Sequence, residues 1–370
     1  MREGVHGSRT GLGFRQQRVR DSPQRRPSPP QLPAVSGHPS RMRESDTRIW
    51  EHRARVQRAR ELRADARGAP ERNPSLTRIR RGVYARTVEL ENAEPGVRYL
   101  ARIEAVAALR DRPIFARESA LAVHGIPYGK EPEMVFTTGD LRTAGRKAGV
   151  QHARVGLDPR DIAEHNGLML VALPAALADV ARRRDPRVAV AAIDAALHEG
   201  RTTKAEIREA LQRQSRMGRA RAEAAIDFAD GDAESVGESW SRVVMHLLGF
   251  PAPELQPTVK GASGREWFPD FRWVLPELSK PLLGEFDGMQ KYARIAEQHG
   301  RTPQQAFARE KPREDDLRVD NDTAHWVWDD LMDPTRLERI LLAHELPRVR
   351  RPSLWLPGDW AAGTSRPTDR

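Results

Sequence analysis

Apolar and polar positions recur along this chain at two periods, and the segments where one gives way to the other define its elements. Phe271 and Trp273 alternate with Asp270 and Arg272, the pattern of a half-buried strand. Residues 276–281, Pro-Glu-Leu-Ser-Lys-Pro, are rich in breakers and predict a hairpin connection. Residues 282–287 predict a second strand, with Leu282 and Phe286 on one face and Glu285 and Asp287 on the other.

Helical spacing dominates elsewhere. Leu100, Ile103, Val106 and Ala107 mark one face of a helix over 99–110, and a second helix is predicted over 114–125, closed by Gly125 and Pro127. Short strands are predicted at 134–136, 150–155 and 168–173. Alanine-rich helices follow at 175–183, 186–198, 203–214 and 219–228. Asp185 caps the second of these with Pro186 at its first position, and Thr203 with Glu206 forms a capping box for the third. Toward the N-terminus, residues 47–67 are helical by propensity. Residues 76–84 alternate apolar and basic side chains around Gly82, as a basic hairpin carrying Arg78, Arg80 and Arg81 does.

From about residue 233 the predicted order is helix, three strands, helix, strand, helix. Trp240, Val243, Val244, Leu247 and Leu248 form the buried stripe of the first helix, which Gly249 ends. A strand over 255–259 turns at Gly261 and Gly264 into the strand carrying Asp270. A charged helix over 306–318 precedes an aromatic strand at 324–328 and a last helix from Pro334 to near His344. Adjacent strands bring Asp270, Glu285 and Asp287 together. Three carboxylates in one place repel unless a cation sits among them, and hard oxygen donors suit Mg²⁺ or Mn²⁺. No Walker loop, HExxH helix or Ser-His-Asp arrangement stands out.

Composition narrows the classes. The 370 residues carry 62 Lys and Arg against 52 Asp and Glu, a net charge of +10, which favours nucleic acid as partner. The absence of cysteine excludes disulfides, thiolate zinc sites and a Cys nucleophile. No apolar run approaches the ~18 residues of a membrane span, and the basic N-terminus lacks the apolar core of a signal peptide, so the expected location is cytoplasmic. Residues 1–45 are Arg, Pro, Ser and Gly with almost no large apolar side chains, and are expected to be a disordered tail. A translation start at Met42 is the other reading of that segment.

The stretch from Arg265 to Tyr292 resembles the PD-(D/E)XK nuclease superfamily, most closely its small branch related to Vsr mismatch-repair endonucleases. Pro269-Asp270 matches the first half of the motif and Glu285 the first acid of the second half. The superfamily lysine falls at position 287, where this chain has Asp287; Lys291 stands four residues further on. Glu310-Lys311, Arg313-Glu314-Asp315 and the segment 326–331 extend the resemblance. Arg80-Arg81-Gly82-Val83-Tyr84 is similar to the wing of AbiEi-type antitoxin regulators. Ser119-Ala120-Leu121-Ala122-Val123-His124-Gly125 is similar to the Ser-Ala-Ala-x-x-x-Gly helix of the same group.

The resemblances imply an α+β multidomain chain: a basic tail at 1–45, a degenerate winged-helix-like segment at 46–98, a mixed strand and helical middle region at 99–231, a restriction-endonuclease-like α/β domain with an αβββαβ core at 232–348, and a flexible tail at 349–370. They imply a metal-dependent DNA endonuclease acting in DNA repair or mobile-element defence, or a catalytically weak DNA-binding regulator of the antitoxin type, with a protein partner encoded nearby. Asp270, Glu285 and Asp287 would hold Mg²⁺ or Mn²⁺, Lys291 and Glu238 would assist, and Arg78, Arg80, Arg81 and Arg313 would contact DNA.

Overall fold

The computed structural model describes residues 54–64, 69–91, 93, 95–139, 144–288 and 313–349. The expected tail at 1–45, nearly all of the one at 349–370, and Lys291 lie outside the described residues. The chain is a mixed α+β protein with several sheets.

Near the N-terminus, β1 (Gln57–Arg58), β2 (Leu76–Arg80) and β3 (Val83–Arg86) form an antiparallel sheet in the order β1-β3-β2. Gly82, at φ +80°, makes the turn of the basic hairpin, and a bulge separates Arg78 from Arg80. The helix expected over 47–67 is reduced, among the described residues, to α1 (Ala59–Ala64). Gln57 and Arg58 pair with Tyr84 and Val83 instead, and this tertiary pairing overrides their helical propensity. After α2 (Thr87–Glu91) comes α3 (Pro95–Ala107), which serves two cores. Val97 and Ala101 meet Ala54 and Ala85, while Tyr99, Leu100, Ile103 and Val106 face the central core.

The middle region holds a six-stranded mixed sheet: β4 (Ile114–Phe115), β5 (Val135–Gly139), β6 (Gly145–Lys147), β7 (Val150–Arg154), β8 (Ile162–His165) and β9 (Leu168–Val171), in the order β6-β7-β5-β4-β9-β8. The helix expected from Ile114 starts later, as α4 (Arg117–His124), because Ile114 and Phe115 pair with Thr138 and Thr137. Helix α4 contacts β5 and β9, and four further helices pack on one another and share its core: α5 (Leu173–Arg183), α6 (Pro186–His198), α7 (Lys204–Gln212) and α8 (Arg219–Phe228). Asp185 caps α6 and the Thr203–Glu206 capping box opens α7.

Helix α9 (Val236–Leu248) starts at Ser235, whose hydroxyl accepts the Glu238 N–H at 3.2 Å. It packs on α6, where Arg242 Nη1 lies 2.9 Å from Asp194 Oδ2, both residues buried. Val243 joins the central core while Val244 and Met245 join the C-terminal one, so α9 is shared across the expected boundary at 231/232. The strand expected over 255–259 is two strands in two sheets. β10 (Glu254–Leu255) pairs with β13 (Phe271–Trp273), whereas β11 (Val259–Lys260) pairs with β12 (Glu266–Trp267) in a separate ribbon. Gln256 at φ +46°, followed by Pro257, breaks the run. The main sheet runs β10-β13-β14-β15, with β14 (Leu282–Phe286) antiparallel to β13 and parallel to β15 (Asp322–Trp326). Residues 313–318 are helical, and α10 (Trp328–Met332) and α11 (Pro334–Ala343) complete the described chain.

A candidate acidic site on the C-terminal sheet

One face of the main sheet is apolar and aromatic. Phe271, Trp273, Leu282, Phe286, Ala324 and Trp326 bury together with Val244 and Met245 of α9 and with Leu331, Leu337 and Leu341. Gly284 sits among the Trp326 and Trp273 rings, where any Cβ would collide with them. Strand alternation therefore sends Leu283, Glu285, Thr323 and His325 to the opposite face, which Leu283, Val259 and Leu317 partly close.

The candidate acids converge at one end of this sheet. Phe271 pairs with Gly284, so the register carries Asp270 opposite Glu285. The Phe286 N–H donates to Asp270 Oδ2 at 2.8 Å, fixing that carboxylate to the strand of Glu285. Asp270 is 7% exposed and Glu285 and Glu238 are each 5% exposed. Glu238 arrives from α9 because residue 237 is glycine: the Phe286 ring occupies the space a Cβ there would need. Glu238 Oε2 accepts the Glu234 N–H at 2.9 Å and the Gln256 amide at 3.0 Å. Burial, and next the charge of Asp270, push the Glu238 carboxyl up to about 7. Two of the expected acids thus feel each other's charge in a dry setting.

Positive groups face the others. Arg313 Nη2 donates to Glu285 Oε1 at 2.5 Å and to the Phe268 carbonyl at 3.2 Å, with its guanidinium 5.9 Å from the centre of the Trp267 ring. Asp287, where the motif lysine is absent, receives His325 Nδ1 at 3.1 Å. His325 stands in register with Glu285, and its Nε2 lies 3.2 Å from Glu314 Oε1, an ion-pair distance without hydrogen-bond geometry. The bond to Asp287 is the largest cause raising the His325 pKa, with the Asp287, Glu285 and Glu314 charges adding to it against burial. Asp316 fastens the β11–β12 ribbon beside the site by accepting Trp267 Nε1 at 2.7 Å and Ser263 Oγ at 2.8 Å.

Asp270 is therefore tied to the strand of Glu285 and lies within charge reach of Glu238, while Asp287 is directed to His325. Among the described residues no group of three or more His, Asp or Glu side chains stands ready to hold a metal ion. Asp270 and Glu238 are buried oxygen donors of like charge, the chemistry a hard divalent cation relieves. Gln256 and His325 had no place among the expected site residues. His325 was legible by alternation from Trp326, since a residue next to a buried aromatic in a strand faces the other way; Gln256 carries no such signal. Far along the chain, Arg78 and Arg81 are exposed and Arg80 is half-buried, its pKa lowered by burial and next by the Arg110 charge. None of the three makes an ion pair with the described residues.

No family model matches the chain. Over 229 residues it is 31% identical to "Uncharacterized protein Rv2248" of Mycobacterium tuberculosis (strain ATCC 25618 / H37Rv), covering 61% of this chain and 79% of that protein. The same figures hold for "Uncharacterized protein MT2308" of strain CDC 1551 / Oshkosh. Among solved structures, the RV2827C protein of Mycobacterium tuberculosis aligns over 50% of this chain and 74% of its own at 15% identity, with a TM-score of 0.31, a likeness too slight to carry fold or function. Among the described residues, no helix is long and apolar enough to cross a membrane.

Proposed function

The chain belongs to the family of the mycobacterial proteins Rv2248 and MT2308, and from its own residues we propose that its C-terminal region is a nuclease-like domain of the PD-(D/E)XK type acting on DNA. The observation that carries this reading is the register that sets Asp270 opposite Glu285, with Glu238 of α9 beside Asp270. With the β11–β12 ribbon inserted between β10 and β13, the main-sheet order α9, β10, β13, β14, helix 313–318, β15 supports it, since αβββαβ is the succession such a domain uses.

In this reading Asp270 and Glu285 would hold a Mg²⁺ or Mn²⁺ ion, with Glu238 beside them. Bound there, the ion would lower the pKa of a coordinated water and offset charge gathering on a phosphodiester. The chain's own residues do the rest. The Phe286 N–H orients Asp270, Gln256 orients Glu238, and Arg313 sits within reach of an incoming phosphate. The net charge of +10 and the basic hairpin of Arg78, Arg80 and Arg81 would hold the DNA backbone. Incubation of the purified chain with supercoiled and mismatched DNA, with Mg²⁺, Mn²⁺ or EDTA, tests this. Metal-dependent cutting that Asp270→Ala abolishes is the expected result.

A second reading keeps the DNA contact without the cut: a regulator of the antitoxin type. The motif lysine is replaced by Asp287, and His325 takes up that carboxylate. Tight, salt-sensitive DNA binding with no cleavage under any metal would favour it.

A further inference from the structure

The Glu285 carboxylate is nearly closed off from water, and a buried carboxylate stays ionised only with a counter-charge at hand. Arg313 supplies one such charge. Its Nη2 is shared between Glu285 Oε1 and the Phe268 carbonyl, and the guanidinium plane stands near the Trp267 ring. Asp316, on the same helical segment, holds Trp267 in place through its indole N–H, so the ring and the guanidinium are positioned together. The Arg313 side chain nevertheless keeps 20% of its surface in solvent, against 7% for Glu285. Every bond it makes among the described residues runs through Nη2 alone. Nε and Nη1 are thus donors in hand at the rim of an acidic site.

We propose that Arg313 is an exchangeable counter-ion: it occupies Glu285 in the ion-free protein, yields that carboxylate to a divalent cation, and turns its guanidinium to the phosphate that accompanies the metal. The inference rests on the nuclease-type reading of Asp270 and Glu285 and goes beyond it by making metal affinity a competition inside the protein. Guanidinium suits the second position as well as the first, because its planar fork matches carboxylate and phosphate alike.

The test is Mn²⁺ binding to the full chain, followed by electron paramagnetic resonance of free Mn²⁺ without DNA. Arg313→Gln removes the competitor, and losing one charge-assisted bond on that side of the exchange predicts binding tighter by about ten-fold or more. Glu285→Gln added to Arg313→Gln should erase the gain. Arg313→Lys keeps the charge but not the fork, so its gain should be smaller than that of the glutamine variant. If Arg313→Gln fails to fold by circular dichroism, the lysine variant carries the test, and no tightening there overturns the exchange. Wild-type binding that Asp270→Asn weakens but Arg313→Gln leaves equal or lower overturns the exchange while the metal reading stands. No Mn²⁺ binding by either wild type or folded Arg313→Gln overturns the metal reading itself.

Discussion

Asp270 and Phe286 are joined across the β13–β14 pair by a single bond, the Phe286 N–H donating to Asp270 Oδ2 at 2.8 Å. The carboxylate that opens the candidate site is thereby also the acceptor for a buried backbone donor. Asp270→Ala strands that N–H without a partner, which costs about 1–3 kcal/mol. Asp270→Asn keeps an oxygen acceptor and should lose less than half as much. Urea unfolding of the two variants checks this, and equal losses would show that the bond contributes nothing to stability.

Gly237 is where α9 comes down on the sheet. A Cβ there would run into the Phe286 ring, so Gly237→Ala must push the helix or the ring aside, an overpacking cost of about 1–3 kcal/mol. Phe286→Leu frees the space, and the pair Gly237→Ala with Phe286→Leu should recover part of the loss. The double-mutant cycle, read from unfolding midpoints, should show coupling between the two sites.

Glu238 gives the fold a pH dependence of defined sign. Its carboxyl is raised from 4.5 to about 7 in the native chain, first by burial and then by Asp270, with bonds from the Glu234 N–H, Ser235 and Gln256 opposing. The native state therefore binds this proton more tightly than the unfolded one. The stability it contributes is complete below pH 4.5 and is lost as pH rises to about 7, a change on the order of 3 kcal/mol. Asp194, raised to about 6 by burial, adds a slope of the same sign. Glu238→Gln should leave the Asp194 slope and remove its own, so the difference between the two stability curves across pH 4.5–7 isolates Glu238. A difference curve flat over that window would contradict the assignment.

The Asp194–Arg242 pair ties α6 to α9 across two cores, at 2.9 Å with both groups buried. Arg242 also donates to the Phe228 carbonyl at 2.8 Å. Arg242→Met leaves Asp194 buried without its main counter-charge, which costs about 3–5 kcal/mol. Adding Asp194→Asn should return most of that. Thermal unfolding of the single and double variants measures both.

How much of this was legible in the sequence depended on whether the deciding contacts were local. Residues 282–287 showed their two faces because strand alternation needs only neighbours, and Leu282, Phe286 and Glu285 fall where that pattern sets them. The limits of α6 were legible for the same reason: Asp185 and Pro186 form a start signal within two residues. By contrast, Gln57 and Arg58 lie in a run of helix formers, and only pairing with Tyr84 and Val83, far along the chain, makes them strand. The split of the expected strand at 255–259 required knowing that Leu255 pairs with Phe271 while Val259 pairs with Trp267. The site divides likewise. The acids were legible from parity, but the grip of Arg313 on Glu285 and of His325 on Asp287 spans 28 and 38 positions and no local pattern announces it.

The basic hairpin yields the remaining prediction, and its argument is electrostatic. Arg78 and Arg81 are exposed, Arg80 lies half-buried near Arg110, and none of them is neutralised by an acid among the described residues. Nearby Arg58, Arg63 and Arg86 differ, each having Glu61, Glu71 or Glu89 within 4.0 Å. Cations without internal partners are the ones whose charge is available to phosphate. Each phosphate contact they make releases a counter-ion and adds about 0.9 to the slope of log affinity against log salt. Replacing Arg78, Arg80 and Arg81 together by alanine should lower that slope by up to about 2.7 and weaken binding to all duplex sequences alike. Replacing Arg58, Arg63 and Arg86 should change it much less, because those charges are already paired. Fluorescence anisotropy on a labelled duplex from low to moderate salt distinguishes the two triples. Equal slopes for both would mean that the hairpin is not where this chain meets DNA.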